Sequence, residues 1–200
     1  QGKAQQCQAR VLINAAGAWV NQTLEKITPI PPKREIDLVQ GTHILVPGRL
    51  SSGIYYMEVP EDHRAVFAMP KGDATLVGTT EKPFVGDPAK VKASDEEKTY
   101  LMKVLAYYFP LYCEKENQSI LSSFAGLRVL PKSDGPAFSR SRETLLIPDQ
   151  KHKPRLLSIY GGKLTSYRAT AEKVMTKISE NLPQAQKHAD TRQLPLTLHE

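Results

Sequence analysis

A pair of glycines between an apolar run and a helical pattern forms the first candidate ligand site in the sequence. Residues 156–160 are mostly apolar and predict a buried strand, and a helical apolar stripe begins at Leu164. Gly161 and Gly162 lie between them, next to Lys163. A ligand could approach the glycine backbone closely, and the first free N–H groups of the helix favour an anion. A tight turn without any ligand explains the same pair, so both interpretations stay open.

Three arginines form a second candidate site, suited to phosphate or carboxylate. Arg128 lies within an apolar run, where its permanently charged guanidinium group needs an anion, carbonyl groups or solvent. Arg140 and Arg142 are two residues apart, so in an extended chain their side chains point to the same side. Converging guanidinium groups bind an oxyanion through bidentate hydrogen bonds. Each arginine taken singly also fits an ordinary surface ion pair.

Among the five histidines, His43 is the candidate for proton transfer. It precedes an apolar run and follows Gly41 and Thr42, so we expect it to open a strand directly after a glycine turn. Imidazole titrates near neutral pH, which suits a general base, although a lone histidine is often purely structural. The sequence contains neither Gly-x-Ser-x-Gly nor His-Glu-x-x-His, which leaves hydrolytic and zinc-dependent chemistry with little support.

Composition narrows the class of protein further. The chain has 200 residues, 40% of them hydrophobic, and no apolar stretch of about 20 residues, so we expect a soluble globular protein. Its net charge of +6 favours an anionic partner, but no nucleic-acid-binding motif accompanies the scattered basic residues. Cys7 and Cys113 lie far apart and outside any metal-ligand spacing, which argues against a structural metal and favours a reducing cytoplasm.

The remaining patterns predict the elements that must position these residues. Ser94 is a suitable N-cap for a helix that ends near Phe109, before Pro110. Further helices are predicted over residues 19–27 and 164–182, and strands over residues 11–13, 36–39, 43–46, 54–57, 65–69, 76–78, 119–130, 144–147 and 156–160. Such short strands with close turns favour an antiparallel or mixed sheet.

The order of these elements predicts an α+β or α/β fold with a sheet domain inserted between two α/β pieces. We expect a mixed β-sheet domain with flanking helices over residues 34–150. Residues 1–33 and 151–183 would each give a strand and a helix to one Rossmann-like nucleotide-binding domain, and residues 184–200 form a polar tail.

Several segments in this order resemble the FAD-dependent glycerol-3-phosphate dehydrogenases, within the D-amino-acid-oxidase-like flavoproteins. The resemblance covers about residues 9–182 and is therefore more specific than any single motif. Its segments are Leu12-Ile13-Asn14-Ala15-Ala16-Gly17-Ala18-Trp19, Val39-Gln40-Gly41-Thr42-His43-Ile44-Leu45-Val46-Pro47, Val77-Gly78-Thr79-Thr80-Glu81, Gly86-Asp87-Pro88, Ala125-Gly126-Leu127-Arg128 and the residues from Leu157 to Arg168.

The resemblance implies an enzyme that oxidises sn-glycerol 3-phosphate to dihydroxyacetone phosphate. Hydride would pass from substrate C2 to N5 of FAD, and the electrons would go on to a membrane quinone. The terminal pieces would belong to an FAD-binding domain and the central sheet to a substrate-binding cap. A cytoplasmic enzyme with peripheral association at the inner face of the cell membrane is a further implication.

The same resemblance implies roles for particular residues. His43, Lys163 and Arg128 would be catalytic. Substrate would be held by Arg128, Arg140, Arg142, Lys163 and Thr165. FAD would contact Ala15, Ala16, Gly17 and Trp19 with its nucleotide part, and Gly161, Gly162, Lys163, Leu164 and Thr165 with its isoalloxazine ring.

The sequence departs from the family pattern in several places. Residues 140–143 hold two arginines where the family has one Arg-Asp pair, so the phosphate contact could be either arginine. Gln40 replaces a common lysine and Glu81 a common aspartate. No Gly-x-Gly-x-x-Gly loop precedes the first strand and no C-terminal helical extension follows, so we expect an excised part of a larger enzyme, inactive alone.

Two other functions fit the same residues. An amine or 2-hydroxy-acid oxidase of the same superfamily would use the arginines for a carboxylate instead of a phosphate. A non-catalytic binding module that kept the cap and lost the chemistry would also have this pattern. The sequence leaves both open as alternatives to the dehydrogenase.

Overall fold

The computed structural model describes residues 3–113, 119–132, 143–184 and 190–194. The chain divides into two units, which we call the terminal unit (residues 1–34 and 141–200) and the central unit (residues 35–140). The strands are β1 (Leu12–Asn14), β2 (Ile36–Pro47), β3 (Tyr55–Glu58), β4 (Ala65–Lys71), β5 (Ala74–Gly78), β6 (Lys82–Phe84), β7 (Ser122–Pro131), β8 (Leu145–Pro148) and β9 (Leu156–Tyr160). The α-helices are α1 (Val20–Leu24), α2 (Asp95–Tyr108) and α3 (Tyr167–Ile178).

Strand β2 is the centre of a six-stranded sheet in the central unit. Along one edge it pairs with β7 without interruption, from Ile36 opposite Pro131 to Leu45 opposite Ser122. Along the other edge it pairs first with β6 and then with β5, and β4 and β3 extend the sheet beyond β5. All of these pairings are antiparallel. The described central sheet is therefore the antiparallel arrangement that the short strands allow, and not the mixed sheet expected over residues 34–150.

The middle of β2 differs from the sequence-based prediction. The sequence predicts two strands separated by a glycine turn, with His43 opening the second. The structure has one strand of 12 residues, in which Gly41 lies opposite Gly126 and His43 is an interior residue. Pairing with β7 continues through Gly41, so the ladder overrides the weak strand propensity of glycine.

Strand β6 is not predicted by the sequence pattern. Pro83 stands in its middle, and a proline cannot donate a ladder hydrogen bond, which normally argues against a strand. In the structure β6 is three residues long and pairs with residues 38–40 of β2. The short pairing at a sheet edge tolerates the missing N–H group.

Helix α2 forms the second layer of the central unit, as the sequence predicts. The side-chain oxygen of Ser94 accepts from the backbone N–H of Glu97, and the Glu97 carboxylate accepts from the backbone N–H of Ser94. This capping box fixes the start of the helix. The buried face of α2, with Leu101 and Leu105, packs in one core cluster with Ile44 of β2. Burying each of these side chains contributes about 2 kcal/mol.

The terminal unit contains a three-stranded sheet in the order β1-β9-β8. β1 and β9 are parallel, and β8 is antiparallel to β9. Val174 and Ile178 of α3 pack against Leu157 of β9. β8 therefore lies with the terminal strands, whereas the sequence-based division assigns residues 34–150 to the central domain. The predicted class of mixed α+β fold, with sheets and few helices, is confirmed.

Both helices of the terminal unit are shorter than predicted. α1 ends at Leu24, because the N–H groups of Lys26 and Ile27 bond to carbonyls three residues back instead of four. α3 begins at Tyr167, since Leu164–Ser166 form a 3-10 turn ahead of it. The first N–H groups of α3 therefore lie further from the glycine pair than the sequence pattern suggests.

Candidate functional site

The two faces of the central sheet have different surroundings. Side chains alternate along a strand, so the even-numbered residues of β2 face the α2 layer and the odd-numbered residues face the other way. We call this second side the open face. Directly paired residues share a face. By this register the open face carries Val39, Gly41 and His43 of β2, Phe124, Gly126 and Arg128 of β7, Gly78 of β5, Phe67 of β4 and Tyr56 of β3.

The imidazole of His43 has a close neighbour on each of the two adjacent strands of the open face. It stacks on the ring of Phe124, with ring centroids 5.0 Å apart and planes within 6° of parallel. On its other side the ring lies over Gly78, where an added Cβ would be 2.2 Å from His43 Cδ2. Glycine at position 78 is therefore a steric requirement for this ring position.

The surroundings of His43 favour its neutral form. Burial lowers the pKa of His43, and the nearby positive charge of Arg128 lowers it further. The ring nitrogen Nδ1 is buried and has no hydrogen-bond partner among the described residues. A neutral imidazole can accept a proton, so the geometry and electrostatics of His43 suit a general base.

Arg128 lies on the same face and is held by the segment that follows β5. Its Nη2 donates to the hydroxyl of Thr79 at 3.1 Å, and its Nη1 donates to the carbonyl of Thr80 at 3.3 Å. Its Nη1 is also 3.6 Å from the carboxylate of Glu81. An added Cβ at Gly41 would be 2.9 Å from Nη2. The guanidinium is thus fixed by neighbours, with a quarter of the side chain still exposed.

Aromatic side chains continue the open face beside His43. Tyr56 and Phe67 pack edge to face with centroids 5.4 Å apart, and both are exposed. Phe124 is exposed over 52% of its surface. An exposed apolar patch next to a titratable and a cationic side chain is typical of a ligand-binding surface.

In the terminal unit, two turns follow the carboxyl ends of adjacent parallel strands. Asn14 at the end of β1 lies opposite Ser158 of β9, so the carboxyl ends of both strands lie at the same end of the sheet. Ligands of open α/β sheets bind beyond the carboxyl ends of the strands. The buried side chain of Asn14 fixes its turn by donating to the carbonyl of Val20 at 3.0 Å and accepting from the N–H of Ala16 at 3.3 Å. Gly17 completes the turn with φ of +54°.

The second turn, after β9, presents backbone rather than side chains. Gly161 and Gly162 have φ of +69° and +90°, a conformation that favours glycine. An added Cβ at Gly162 would be 2.6 Å from the hydroxyl of Thr144. The following Lys163, Leu164 and Thr165 are exposed, as are Ala15, Gly17 and Trp19 beside the first turn. Exposed glycines beside the exposed side chains of Leu164 and Trp19 fit a cofactor such as FAD.

The predicted site residues fall into two groups. His43 and Arg128 share the open face of the central unit, and the FAD-contacting candidates share the strand edge of the terminal unit. Arg140 and Arg142 lie outside the described residues, so their convergence on a phosphate stays a prediction. Sequence reasoning missed Gly78 and Phe124 as neighbours of His43. Glycine inside a strand is the signal for Gly78, because it marks a close approach.

The described residues contain neither a metal-ligand cluster nor a disulfide. No group of three or more histidine, cysteine, aspartate or glutamate residues there is placed to hold a metal ion. Cys7 and Cys113 are free and exposed. Within residues that the structure describes, none of the helices has the length and apolar character needed to cross a bilayer.

A family comparison agrees with this geometry. The model of the family described as FAD dependent oxidoreductase matches residues 1–172. The chain belongs to this family. Curated members include the glycerol-3-phosphate dehydrogenase of Pseudomonas aeruginosa, 39% identical over 88% of this chain and 35% of that protein. The D-erythritol 1-phosphate dehydrogenase of Brucella abortus is 31% identical over 92% of this chain and 36% of that protein.

A solved structure extends the similarity to the fold. The glycerol-3-phosphate dehydrogenase of Bacillus halodurans, complexed with FAD, superposes with a TM-score of 0.68 at 29% identity. The superposition covers 85% of this chain and 32% of that one. The chain thus spans about a third of the length of these relatives.

Substitution of Gly78 tests the steric account of His43. Gly78→Ala should displace the imidazole and destabilise the fold by about 1–3 kcal/mol, as overpacking of a filled site does. Gly126→Ala is the matched control, because an added Cβ there has no atom within 4 Å. The measurement is urea unfolding of both variants. Equal stability of the two variants would contradict the account.

The lowered pKa of His43 predicts a pH dependence of stability. The pKa of His43 is lower in the folded protein than in the unfolded chain, where the pKa of a histidine is about 6.5. The unfolded state therefore binds more protons in this window, and stability is lost as pH falls from about 6.5 through the folded pKa. Unfolding free energies measured at pH 8 and pH 5 should show a larger loss for the wild type than for His43→Gln. An equal loss in both would show that His43 titrates normally.

Proposed function

We propose that this chain is part of an FAD-dependent dehydrogenase that oxidises sn-glycerol 3-phosphate to dihydroxyacetone phosphate. The observation that carries the proposal is the placement of a neutral imidazole and a fixed guanidinium on one exposed sheet face. Family membership and a relative of that name at 39% identity support it. Oxidation of a phosphorylated alcohol needs a proton acceptor and an oxyanion-binding group, and this face supplies both.

His43 has the role of general base in this proposal. It accepts the proton of the substrate C2 hydroxyl while C2 loses hydride, so that the C2–O bond becomes a carbonyl. FAD, when bound, supplies the hydride acceptor. The stacked Phe124 and the bare backbone of Gly78 keep the imidazole in one orientation throughout.

Arg128 binds the anionic end of the substrate or the oxygen that loses its proton. Its hydrogen bonds to Thr79 and Thr80 orient the guanidinium in advance, so little conformational entropy is lost on binding. Arg140 and Arg142 join it as further phosphate ligands in the proposal.

The terminal unit supplies the FAD-binding residues of the proposal. The turn at Ala15, Ala16 and Gly17, with Trp19, would hold the nucleotide part of the cofactor. The exposed turn from Gly161 to Thr165 would hold the isoalloxazine ring, and Lys163 would place a positive charge beside it. The positive φ angles of both turns and their position beyond parallel strands support this assignment.

The electron acceptor and the location belong to the same proposal. We propose that electrons pass to a quinone and that the enzyme works on the cytoplasmic side of the membrane, in peripheral contact with it. The net charge of +6 supports contact with an anionic lipid surface.

A longer polyol phosphate is the second candidate substrate. The relative named D-erythritol 1-phosphate dehydrogenase is 31% identical to this chain over the 185 aligned residues. Both substrates combine a phosphate with a secondary alcohol, so the residues of the open face suit either one.

Flavin reduction in the native protein that carries this sequence decides between the candidates. The FAD-loaded protein is mixed with sn-glycerol 3-phosphate, D-erythritol 1-phosphate, amino acids or 2-hydroxy acids, with a dye as final acceptor. We expect glycerol 3-phosphate to give the highest kcat/KM. Higher kcat/KM with erythritol phosphate would select the second candidate, and reduction by an amino acid or hydroxy acid alone would refute both. Binding of glycerol 3-phosphate without any flavin reduction would indicate a non-catalytic module.

Arg128 provides a quantitative prediction. Arg128→Ala should lower kcat/KM by a factor that corresponds to about 2–4 kcal/mol of lost transition-state stabilisation, because a charge-assisted contact to substrate is removed. Arg49→Ala is the control, since Arg49 is an exposed arginine of the same unit that bonds the carbonyl of Gly72. Its kcat/KM should change by less than about 0.5 kcal/mol. If Arg128→Ala behaves like the control, Arg128 is structural only.

A further inference from the structure

Glu97 is a buried carboxylate on the side of the sheet opposite to His43. Only 5% of its surface is exposed. It accepts from the Thr80 hydroxyl at 2.5 Å, from the Gln40 amide at 2.5 Å and from the Ser94 N–H at 3.1 Å. Burial acts to raise the pKa of Glu97, but its hydrogen bonds, foremost that from Thr80, outweigh this and lower the pKa. The group is therefore an ionised carboxylate inside the fold.

A short chain of contacts joins this carboxylate to Arg128. The Thr80 hydroxyl donates to Glu97 and accepts from the backbone N–H of Thr42 at 2.9 Å. The carbonyl of the same Thr80 accepts from Arg128 at 3.3 Å. Thr79 donates its hydroxyl proton to that carbonyl and accepts from the guanidinium. Residues 79–81 are thus held from the α2 side and in turn hold Arg128.

Helix capping alone does not account for this arrangement. The capping box needs one hydrogen bond between the Glu97 carboxylate and the Ser94 N–H. The bond to Thr80 uses the other carboxylate oxygen and leads away from the helix. The adjacent Glu96 also lies in the first turn, yet its side chain is 80% exposed. Favourable charge at the helix start therefore does not require burial.

We propose that Glu97 is a positioning residue for Arg128, acting through Thr80. The carboxylate fixes the backbone of residues 79–81, and this backbone sets where the guanidinium lies on the open face. The inference rests on the proposed function for its kinetic consequence, because Arg128 is the group that acts on substrate there. The positioning itself is a property of the central unit and needs no substrate.

The kinetic test uses Glu97→Gln in the native, FAD-loaded protein, with Glu96→Gln as the matched control. Glutamine keeps the size of the side chain but places an amide N–H₂ against the donor of Gln40 or Thr80. We expect kcat/KM to fall roughly 10- to 100-fold, as misplacement of a binding group does, with the same division between KM and kcat as in Arg128→Ala. Glu96→Gln should leave both parameters unchanged.

A double-mutant cycle separates positioning from general destabilisation. If Glu97 acts through Arg128, Glu97→Gln should cause no further loss of kcat/KM in the Arg128→Ala background. A full additional loss in that background would overturn the proposal. The pair Thr80→Val and Thr80→Ser tests the same link if the Glu97 variant does not fold. The valine variant should lose activity as Glu97→Gln does, and the serine variant, which keeps the hydroxyl, should retain it.

A spectroscopic readout keeps this test independent of the substrate assignment. With ¹⁵N-labelled arginine, the side-chain N–H resonance of Arg128, assigned by its loss in Arg128→Ala, should shift or broaden in Glu97→Gln and Thr80→Val. It should stay unchanged in Glu96→Gln and Thr80→Ser. An unchanged resonance in all four variants overturns the positioning role. Absence of flavin reduction by any polyol phosphate, with the resonance shifted as expected, refutes the proposed function and leaves the positioning role intact.

Discussion

The central unit depends on one constraint, which is that β2 is hydrogen-bonded to other strands along both edges. A strand paired in this way can direct its side chains only to the two faces of the sheet. At residues 40–43 one face of the sheet meets an anionic group and the other face carries a cationic group. Gln40 meets the buried Glu97 carboxylate on the α2 side, and His43 lies with Arg128 on the open face. A shift of the register by one residue would exchange the two sets and leave each without partners.

Two glycines shape the open face as much as its side chains do. Gly78 leaves room for the imidazole, and Gly41 leaves room for the guanidinium. Both groups can therefore lie close to the glycine backbone of a neighbouring strand. Burial and the charge of Arg128 together lower the pKa of His43, which favours the neutral imidazole. The hydrogen bonds of Arg128 to Thr79 and Thr80 fix the guanidinium on the same face.

Sequence patterns predicted most helices and strands, but not the strand pairing and tertiary contacts between them. The capping signal at Ser94 and the stop signal at Pro110 predicted α2 correctly, since both are local. Gly41 was predicted as a turn, because only pairing with distant β7 shows that the strand continues through it. His43 and Arg128 were identified as candidates, but their shared face follows from a register that spans 85 residues of sequence. Glu97 is not among the site candidates found in the sequence, because its contact with Thr80 is a tertiary feature that no local pattern contains.

The most direct test of the account is the rate at which sn-glycerol 3-phosphate reduces bound FAD in a single anaerobic turnover of the native protein. The substrate carries protium or deuterium at C2, and the wild type is compared with His43→Asn. We predict a slower reaction with deuterium than with protium. We also predict that the rate in the variant is lower by a factor of at least about 100, because a general base is lost. Equal rates for wild type and variant, or no flavin reduction at all, would contradict it.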